Sequence, residues 1–528
     1  MGWVALRLSD LPEKTGGMNT MGSIIETLYP ILNFLAVAFV IALGLAVLCI
    51  FVLFVVDRMQ TQDAIRHNYP VLGRFRYILS ELGEFFRQYF FAMDREEMPF
   101  NRAERDWVNK SSQGKDNTIA FGSSKSVTLP GTPIFVNCAF PTLSEDATDA
   151  PALEIGPYCR APYTASSVIN ISGMSYGAIS KPAVKALSAG AKMAGCWMNT
   201  GEGGLSPYHL EGGCDIVMQI GTAKYGVRDS EGRLDDEKLR KAAAYPQVKM
   251  FELKMSQGAK PGKGGILPGT KVTKEIAEIR GIDVGQDSIS PNRHPEIENV
   301  GQMLDYIQHI REVSGKPVGF KAVVGAYGWL ESLCEEIHKR GIESAPDFIT
   351  IDSGDGGTGA APMPLMDSVG LPIKESLPLV VNILIKYDLR DRIRVITSGK
   401  LITPAEVAWA YCAGTDFVVS ARGFMFALGC IQALKCNKNT CPTGITTHKK
   451  NLQEGLDPKE KSVRVKNFVE KIRYGTGLIA HSCGVAHVRA LKRHHCRIVQ
   501  TAAVSLPLDK IHAAPETLRK FATSGSET

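Results

Sequence analysis

Three cysteines fall within twelve residues in Cys430-Ile-Gln-Ala-Leu-Lys-Cys436-Asn-Lys-Asn-Thr-Cys441, and Pro442 follows the last of them directly. Thiolates at such intervals, closed by a proline, are the layout of an iron–sulfur ligand loop, whose chemistry is single-electron transfer. Three ligands point to a three-iron, 3Fe-4S cluster. The alternatives are a zinc site completed by His448, or free thiols; zinc sites often carry paired C-x2-C spacing, and this stretch has none.

A second set of candidates lies on glycine-bearing loops. Ser398-Gly399-Lys400 and Ser420-Ala421-Arg422-Gly423 follow the last two expected strands, where barrels commonly hold a phosphate, and Arg422 adds charge. A single phosphate there points to FMN. Gly354-Asp355-Gly356-Gly357-Thr358-Gly359, just after Ser353, formally matches a dinucleotide fingerprint. Pro362 and Pro364 follow it, however, and are a poor start for the helix that such a loop must open. Lys321 interrupts the apolar strand Val318–Val324. It either pairs with a barrel carboxylate or faces the flavin edge that gains negative charge on reduction. Glu202, Lys254, Gln257 and Lys260 sit at strand ends where a substrate would meet the flavin, although each alone is commonplace.

The elements that must position these residues read as parallel βα units from about Ser166 onward. Candidate strands are Ser167–Ile171, Trp197–Thr200, Ile216–Ile220, which contains Gln219, Met250–Met255, Val318–Val324, Phe348–Asp352, Ile393–Thr397 and Phe417–Ser420. Eight units predict an α/β fold of the (β/α)8 type. Glycine loops gathered at the C-terminal ends of such strands favour a large flat cofactor over mere tight turns.

The chain has 528 residues, 44% apolar and 22% charged, with a net charge of +6 spread along its length. No aromatic-basic tract supports a nucleic-acid partner. Twelve irregularly spaced cysteines resemble a reduced intracellular set and not a disulfide framework. Residues Ile31 to Val56 carry no charge and as a helix would reach about 39 Å, enough to cross a hydrocarbon core of about 30 Å. Arg58, Arg66, Arg74 and Arg76 follow this run, while Lys14 alone among Lys and Arg falls in the twenty residues before it. A single-pass membrane anchor with the catalytic part in the cytoplasm is therefore expected. The expected organisation is an extramembrane segment 1–30, a transmembrane helix 31–56, a membrane-proximal cap 57–165, the barrel with its cysteine loop 166–448, and a helical extension 449–528.

Five motifs in order, Gly173-Met174-Ser175-Tyr-Gly-Ala178, Asn199-Thr-Gly-Glu-Gly-Gly204, Lys254-Met-Ser-Gln-Gly-Ala-Lys-Pro-Gly262, Gly354-Asp-Gly-Gly-Thr-Gly359 and the cysteine loop, resemble the FMN-binding synthase domain of glutamate synthase. Arg87-Gln-Tyr-Phe-Phe and Pro99-Phe-Asn-Arg102 further resemble its stand-alone relatives. The resemblance implies an FMN barrel in which a 3Fe-4S cluster at Cys430, Cys436 and Cys441 feeds electrons to the flavin. FMN would contact Gly173, Met174, Ser175, Gln219, Lys321, Ser353, Gly354, Gly356, Gly357, Ser398, Gly399, Ala421 and Arg422. Glu202, Lys254, Gln257 and Lys260 would lie beside flavin and substrate, a 2-iminoglutarate formed from 2-oxoglutarate and ammonia. Lys263 stands where the family usually has an acidic residue, and Thr397-Ser398-Gly399 replaces Asp-Gly-Gly. Neither a glutaminase domain with its nucleophilic N-terminal cysteine nor a C-terminal β-helix domain is recognisable, so ammonia or an amine is expected from solution or a partner. Ferredoxin or a membrane redox partner would donate electrons. Two further readings are an amino-acid dehydrogenase that passes electrons to quinone and a non-catalytic electron-transfer subunit.

Overall fold

The computed structural model describes residues 16–518, so residues 1–15 of the expected extramembrane segment and 519–528 of the expected extension lie outside the described residues. The chain divides into two compact units that meet in sequence between Met98 and Pro99.

In the first unit, a helix runs from Gly16 to Met59 straight through Pro30, longer at both ends than the expected 31–56. Its stretch Leu28–Met59 is the one described helix long and apolar enough to cross a membrane, and its large apolar side chains are exposed. The end of this helix is tied down by Asp57, whose buried carboxylate accepts from the guanidinium groups of Arg66 and Arg74 at 2.7 Å and from the Val71 N–H at 3.0 Å. The helix Leu72–Phe86 follows and passes into a π-helical turn, Arg87–Phe91. Phe75, Ile78, Leu79, Leu82 and Phe86 recur on it at helical spacing and remain exposed.

The second unit is built on a closed parallel barrel of eight strands: β1 (Ile169–Ile171), β2 (Met198–Asn199), β3 (Ile216–Ile220), β4 (Val248–Lys254), β5 (Val318–Val323), β6 (Phe348–Asp352), β7 (Arg394–Ser398) and β8 (Phe417–Ser420). Each strand pairs with the next in sequence, and β8 closes on β1 through Val418–Ile169 and Ser420–Ile171. Strands β3, β6 and β8 are buried at every position, as expected of strands with side chains on one face filling the barrel and on the other packing under helices. The intervening helices carry local start and stop signals. Ser180 caps Lys181–Ala194 and Gly195 ends it in the left-handed region, while Asn299 and Gly315 do the same for Val300–Ser314.

Between β4 and its helix Val300–Ser314 the chain makes a long excursion, residues 255–299, containing a two-residue antiparallel pair, Ile266–Leu267 with Ser288–Ile289, and the helix Lys274–Arg280. The part of the expected cap after Met98 belongs with the barrel. The helix Arg102–Ser112, opened by an Asn101–Glu104 capping box, sets Trp107 edge-on to Phe468 at 6.3 Å. The C-terminal stretch is not purely helical. Its long helix Pro458–Ser482 is followed by strands Cys496–Thr501 and Val504–Pro507, which join Pro133–Phe135 in a three-stranded antiparallel sheet.

Candidate functional site

The C-terminal ends of β5 to β8 surround a cavity of about 370 Å³, open mouth included. Gly356, Gly357, Ser398, Gly399, Ala421 and Arg422 line it together with Lys321 and Asp352. Gly357 has no room for a side chain, since a Cβ there would stand 2.8 Å from Arg422 Nε. The glycine thus lets the backbone approach a cation at the rim, the arrangement an anionic group requires. Arg422 also lies over the Phe100 ring, 4.7 Å from its centroid, and burial lowers its basicity. Ser353 Oγ accepts from Ile373 N at 2.9 Å and Gly354 N donates to Leu371 O at 2.8 Å, so both brace the loop that carries Gly356 and Gly357, although neither lines the cavity itself. The glycine loop 354–359 opens no helix, and the next one starts at Ile373. A phosphate-bearing flavin fits these residues, while a Rossmann-type pyrophosphate seat does not.

Lys321 has the barrel carboxylate partner that one of its two readings expects. Its ammonium pairs with Asp352 Oδ2 at 3.2 Å and also reaches the cavity. Burial opposes its charge, but Asp352 and Glu252 outweigh burial and raise its basicity. Gln219 faces the barrel interior, where Nε2 donates to Glu252 at 2.6 Å, and Asn199 and Thr350 donate to the same carboxylate at 2.8 and 2.6 Å. Gly173 sits on top of this network, with Asn199 Oδ1 and Gln219 Nε2 within 3.1 Å of where its Cβ would be. Met174 is buried, and Ser175 Oγ is 3.5 Å from Arg280 Nη2.

Glu202, Lys254, Gln257 and Lys260 come together. Glu202, on the turn Gly201–Gly203, pairs with Lys254 Nζ at 2.8 Å, and Lys254 also donates to Gln257 Oε1. Burial opposes the Glu202 charge, but Lys254, Lys260 and Arg280 hold its carboxyl below the ordinary range. Lys260 is pushed down to about 8 by burial and by the neighbouring Lys254 and Lys263 ammonium groups, with Glu202 opposing them. Gly265 closes over this group; a Cβ there would stand 2.3 Å from Glu202 Oε1.

Arg280 is a member of this site that sequence reasoning missed. It is 3% exposed, donates to Ser288 Oγ at 3.0 Å and Tyr176 O at 3.3 Å, and its buried Nε has no hydrogen-bond partner among the described residues. As the last helical residue before Gly281, it reads in sequence as an ordinary C-terminal helix charge. The geometry assembled here, one carboxylate among three buried cations beside a phosphate-sized cradle, suits an organic dianion.

The cysteine loop is tightly wound. Gln432, Leu434 and Asn439 adopt left-handed φ of 58°, 53° and 55° without being glycine. Cys430 Sγ accepts from Gln432 N at 3.4 Å, and Cys441 Sγ lies 3.3 Å from Thr443 Oγ1. Burial pushes the Cys430 thiol up to about 12, whereas hydrogen bonds from Thr443 and Thr446 overcome burial at Cys441 and lower it. Among the described residues the three thiols do not converge on a single-ion site, and His448 is engaged with Gly177 O at 2.8 Å. Three thiols grouped on one tightly wound loop, with His448 engaged elsewhere, fit an iron–sulfur ligand loop better than a Cys3His zinc site.

The fold and the site define a (β/α)8 barrel whose polar centre is at the C-terminal ends of its strands. Residues 142–486 match the family model described as the conserved region in glutamate synthase, and the chain belongs to that family. It is 40% identical over 489 residues to the glutamate synthase large subunit-like protein YerD of Bacillus subtilis, covering 85% of this chain and 92% of that one. It is 33% identical to an archaeal NADPH glutamate synthase of Methanocaldococcus jannaschii over 62% of this chain, but spans only 61% of that relative. Among solved structures, a flavocytochrome b2 mutant with pyruvate bound is similar at 14% identity and a TM-score of 0.43, covering 79% of this chain and 89% of that one.

Proposed function

We propose that the chain is a membrane-anchored glutamate synthase-type oxidoreductase that carries FMN in the cradle of β5 to β8 and a 3Fe-4S cluster on Cys430, Cys436 and Cys441. Its reaction is the reductive amination of 2-oxoglutarate, or a related 2-oxo acid, with ammonia from solution or from a partner. The observation that carries this reading is the gathering of Glu202, Lys254, Lys260 and Arg280 about one centre. When bound, the flavin supplies the hydride and the cluster supplies single electrons to it.

The residues divide the remaining work. Lys260 and Arg280 neutralise the two carboxylates of the substrate, which without them would be costly to bury. Lys254, oriented by Glu202 and Gln257, presents an ammonium to the oxygen or nitrogen at the reacting carbon, where negative charge is relieved by proton donation. Glu202 stays ionised and pairs with that ammonium. Lys321, held by Asp352, would face the flavin edge that gains charge. Gly265 packs directly against the Glu202 carboxylate and holds it in place.

The exposed apolar stretch Leu28–Met59 supports a membrane anchor, and the arginines that follow it support a cytoplasmic barrel. The test mixes the full chain, purified in detergent without oxygen and with its flavin reduced, with 2-oxoglutarate and ammonium. Flavin reoxidation that needs both compounds and yields glutamate is the expected result. A reduced flavin indifferent to both, in a protein that glutamate reduces and quinone reoxidises, would instead assign a membrane amino-acid dehydrogenase.

A further inference from the structure

Lys271 is a buried cation that the proposed chemistry does not use. It closes the turn Gly269–Lys271 inside the excursion between β4 and its helix, and it is 2% exposed. Five other buried cations of the unit have an acid within ion-pair distance, Lys254 with Glu202, Lys321 with Asp352, Lys224 with Glu296, and Arg311 and Arg392 with Asp347, while Lys260 and Arg280 stand around Glu202. Among the described residues no carboxylate lies within ion-pair distance of Lys271. Its ammonium donates instead to two backbone carbonyls, Ala178 O at 2.8 Å and Cys436 O at 3.4 Å.

Those two carbonyls belong to different machinery. Ala178 ends the loop Gly173–Ala178 over the mouth of β1, and Cys436 is the middle thiol of the cysteine loop. Neighbouring bonds brace the same junction: Asn439 Nδ2 donates to Thr270 O at 3.2 Å, and His448 bonds Gly177 O at 2.8 Å. Burying an ammonium with only neutral acceptors is costly unless a negative charge stands nearby. Cys436, whose carbonyl takes the Lys271 ammonium, and Cys441 five residues on would be thiolates whenever they ligate a metal, and could supply that charge.

We propose that Lys271 is the fixed counter-cation of the iron–sulfur group held by Cys430, Cys436 and Cys441, raising its reduction potential and fixing its loop against the flavin-side loop. The inference rests on the iron–sulfur reading above. Reduction adds negative charge to the group, and a positive charge held a short distance away in a water-poor interior favours the reduced state. Lys271 is thus a positioning and tuning residue, with no contact to substrate.

The test uses the full chain in detergent, prepared without oxygen as wild type, Lys271→Met and Lys271→Arg. Iron and FMN content are measured, and the iron–sulfur EPR signal is followed in a potentiometric titration. The midpoint is expected to fall in Lys271→Met, with FMN retained, and to stay near wild type in Lys271→Arg. Loss of iron in Lys271→Met alone, with Lys271→Arg loaded at the wild-type midpoint, also supports a charge requirement. An unchanged midpoint in an iron-loaded Lys271→Met protein overturns the proposal, as does loss of iron from both variants, which would assign Lys271 to packing. Absence of any iron–sulfur signal from the wild type would instead remove the cluster reading, and this inference with it.

Discussion

Lys260 titrates where an enzyme works. Its ammonium is pushed down to about 8 by burial and by Lys254 and Lys263, against the pull of Glu202. It is therefore largely charged at pH 7 and neutral by pH 9. The Kd of the protein for a 2-oxo dicarboxylate, read from perturbation of the flavin spectrum, should rise by up to about tenfold per pH unit above about 8. Lys260→Arg should flatten that rise, and a Kd independent of pH from 7 to 9 in the wild type would show that Lys260 does not meet the substrate. The same shift has a stability consequence of fixed sign. Between about 8 and the unfolded value of about 10.4 the unfolded chain binds more protons than the folded one at this site, so its contribution to stability rises with pH across that window. Gly265 gives a second check at this scale. The 2.3 Å between its would-be Cβ and Glu202 Oε1 leaves no place for alanine unless the carboxylate moves. Gly265→Ala should keep FMN and lose on the order of 10²-fold in turnover, the scale of an ångström-sized misplacement. Retained turnover would mean that Glu202 need not stand where it does. Of this site, Glu202, Lys254, Gln257 and Lys260 were legible because they sit on strand ends and short motifs. Arg280 was not, because it lies on a short helix in the excursion after β4 and reaches the site only when that segment folds back over the loop after β1; the contact of Lys271 with the cysteine loop, outside this site, was unreadable for the same reason.

Among the elements, the barrel strands were the most readable, since a fully buried strand writes itself as a short run rich in apolar and β-branched residues. Ile216–Ile220, Phe348–Asp352 and Phe417–Ser420 have the bounds expected from sequence. Strands that pair far along the chain were invisible: Pro133–Phe135 meets Cys496–Thr501 more than 350 residues later, and neither run alternates strongly enough to announce itself. The helix Gly16–Met59 was legible as a long apolar helix but not in extent, because Pro30 reads as a boundary and the structure runs through it. Leu28–Met59 is 32 residues long, about 48 Å as a helix, with its apolar side chains exposed. On the proposed reading, a bilayer covers that surface. The full chain should stay with membranes through an alkaline carbonate wash, and a chain begun at Arg58 should move to the soluble fraction. Carbonate extraction of the full chain would refute the anchor.

The whole barrel separates chemistry from stability by placing them at opposite ends. Asp347 stands just before β6, at the floor, with its side chain fully buried. One carboxylate oxygen accepts from Arg311 Nε at 3.1 Å, Val318 N at 2.9 Å and the Cys159 thiol at 3.3 Å; the other accepts from Arg392 Nη2 at 3.1 Å. The two arginines also reach Ala345 O, at 2.6 and 3.0 Å. This single acid thus ties the helix Val300–Ser314, the start of β5 and the turn before β7 to the base of the barrel. Removing it leaves two buried guanidinium groups without their counter-charge, a loss on the order of 3–5 kcal/mol. Asp347→Ala should therefore lower the urea midpoint of flavin release by a matching amount, while turnover per bound flavin in the protein that remains folded stays at the wild-type level. The second half of that expectation carries the argument. If turnover per flavin fell together with stability, the floor and the catalytic rim would be mechanically coupled through the strands. Equal turnover with lower stability would establish that the rim is positioned by its own loops, by the Glu252 network beneath Gly173 and by the Asp352–Lys321 pair, and not by the base on which the barrel rests.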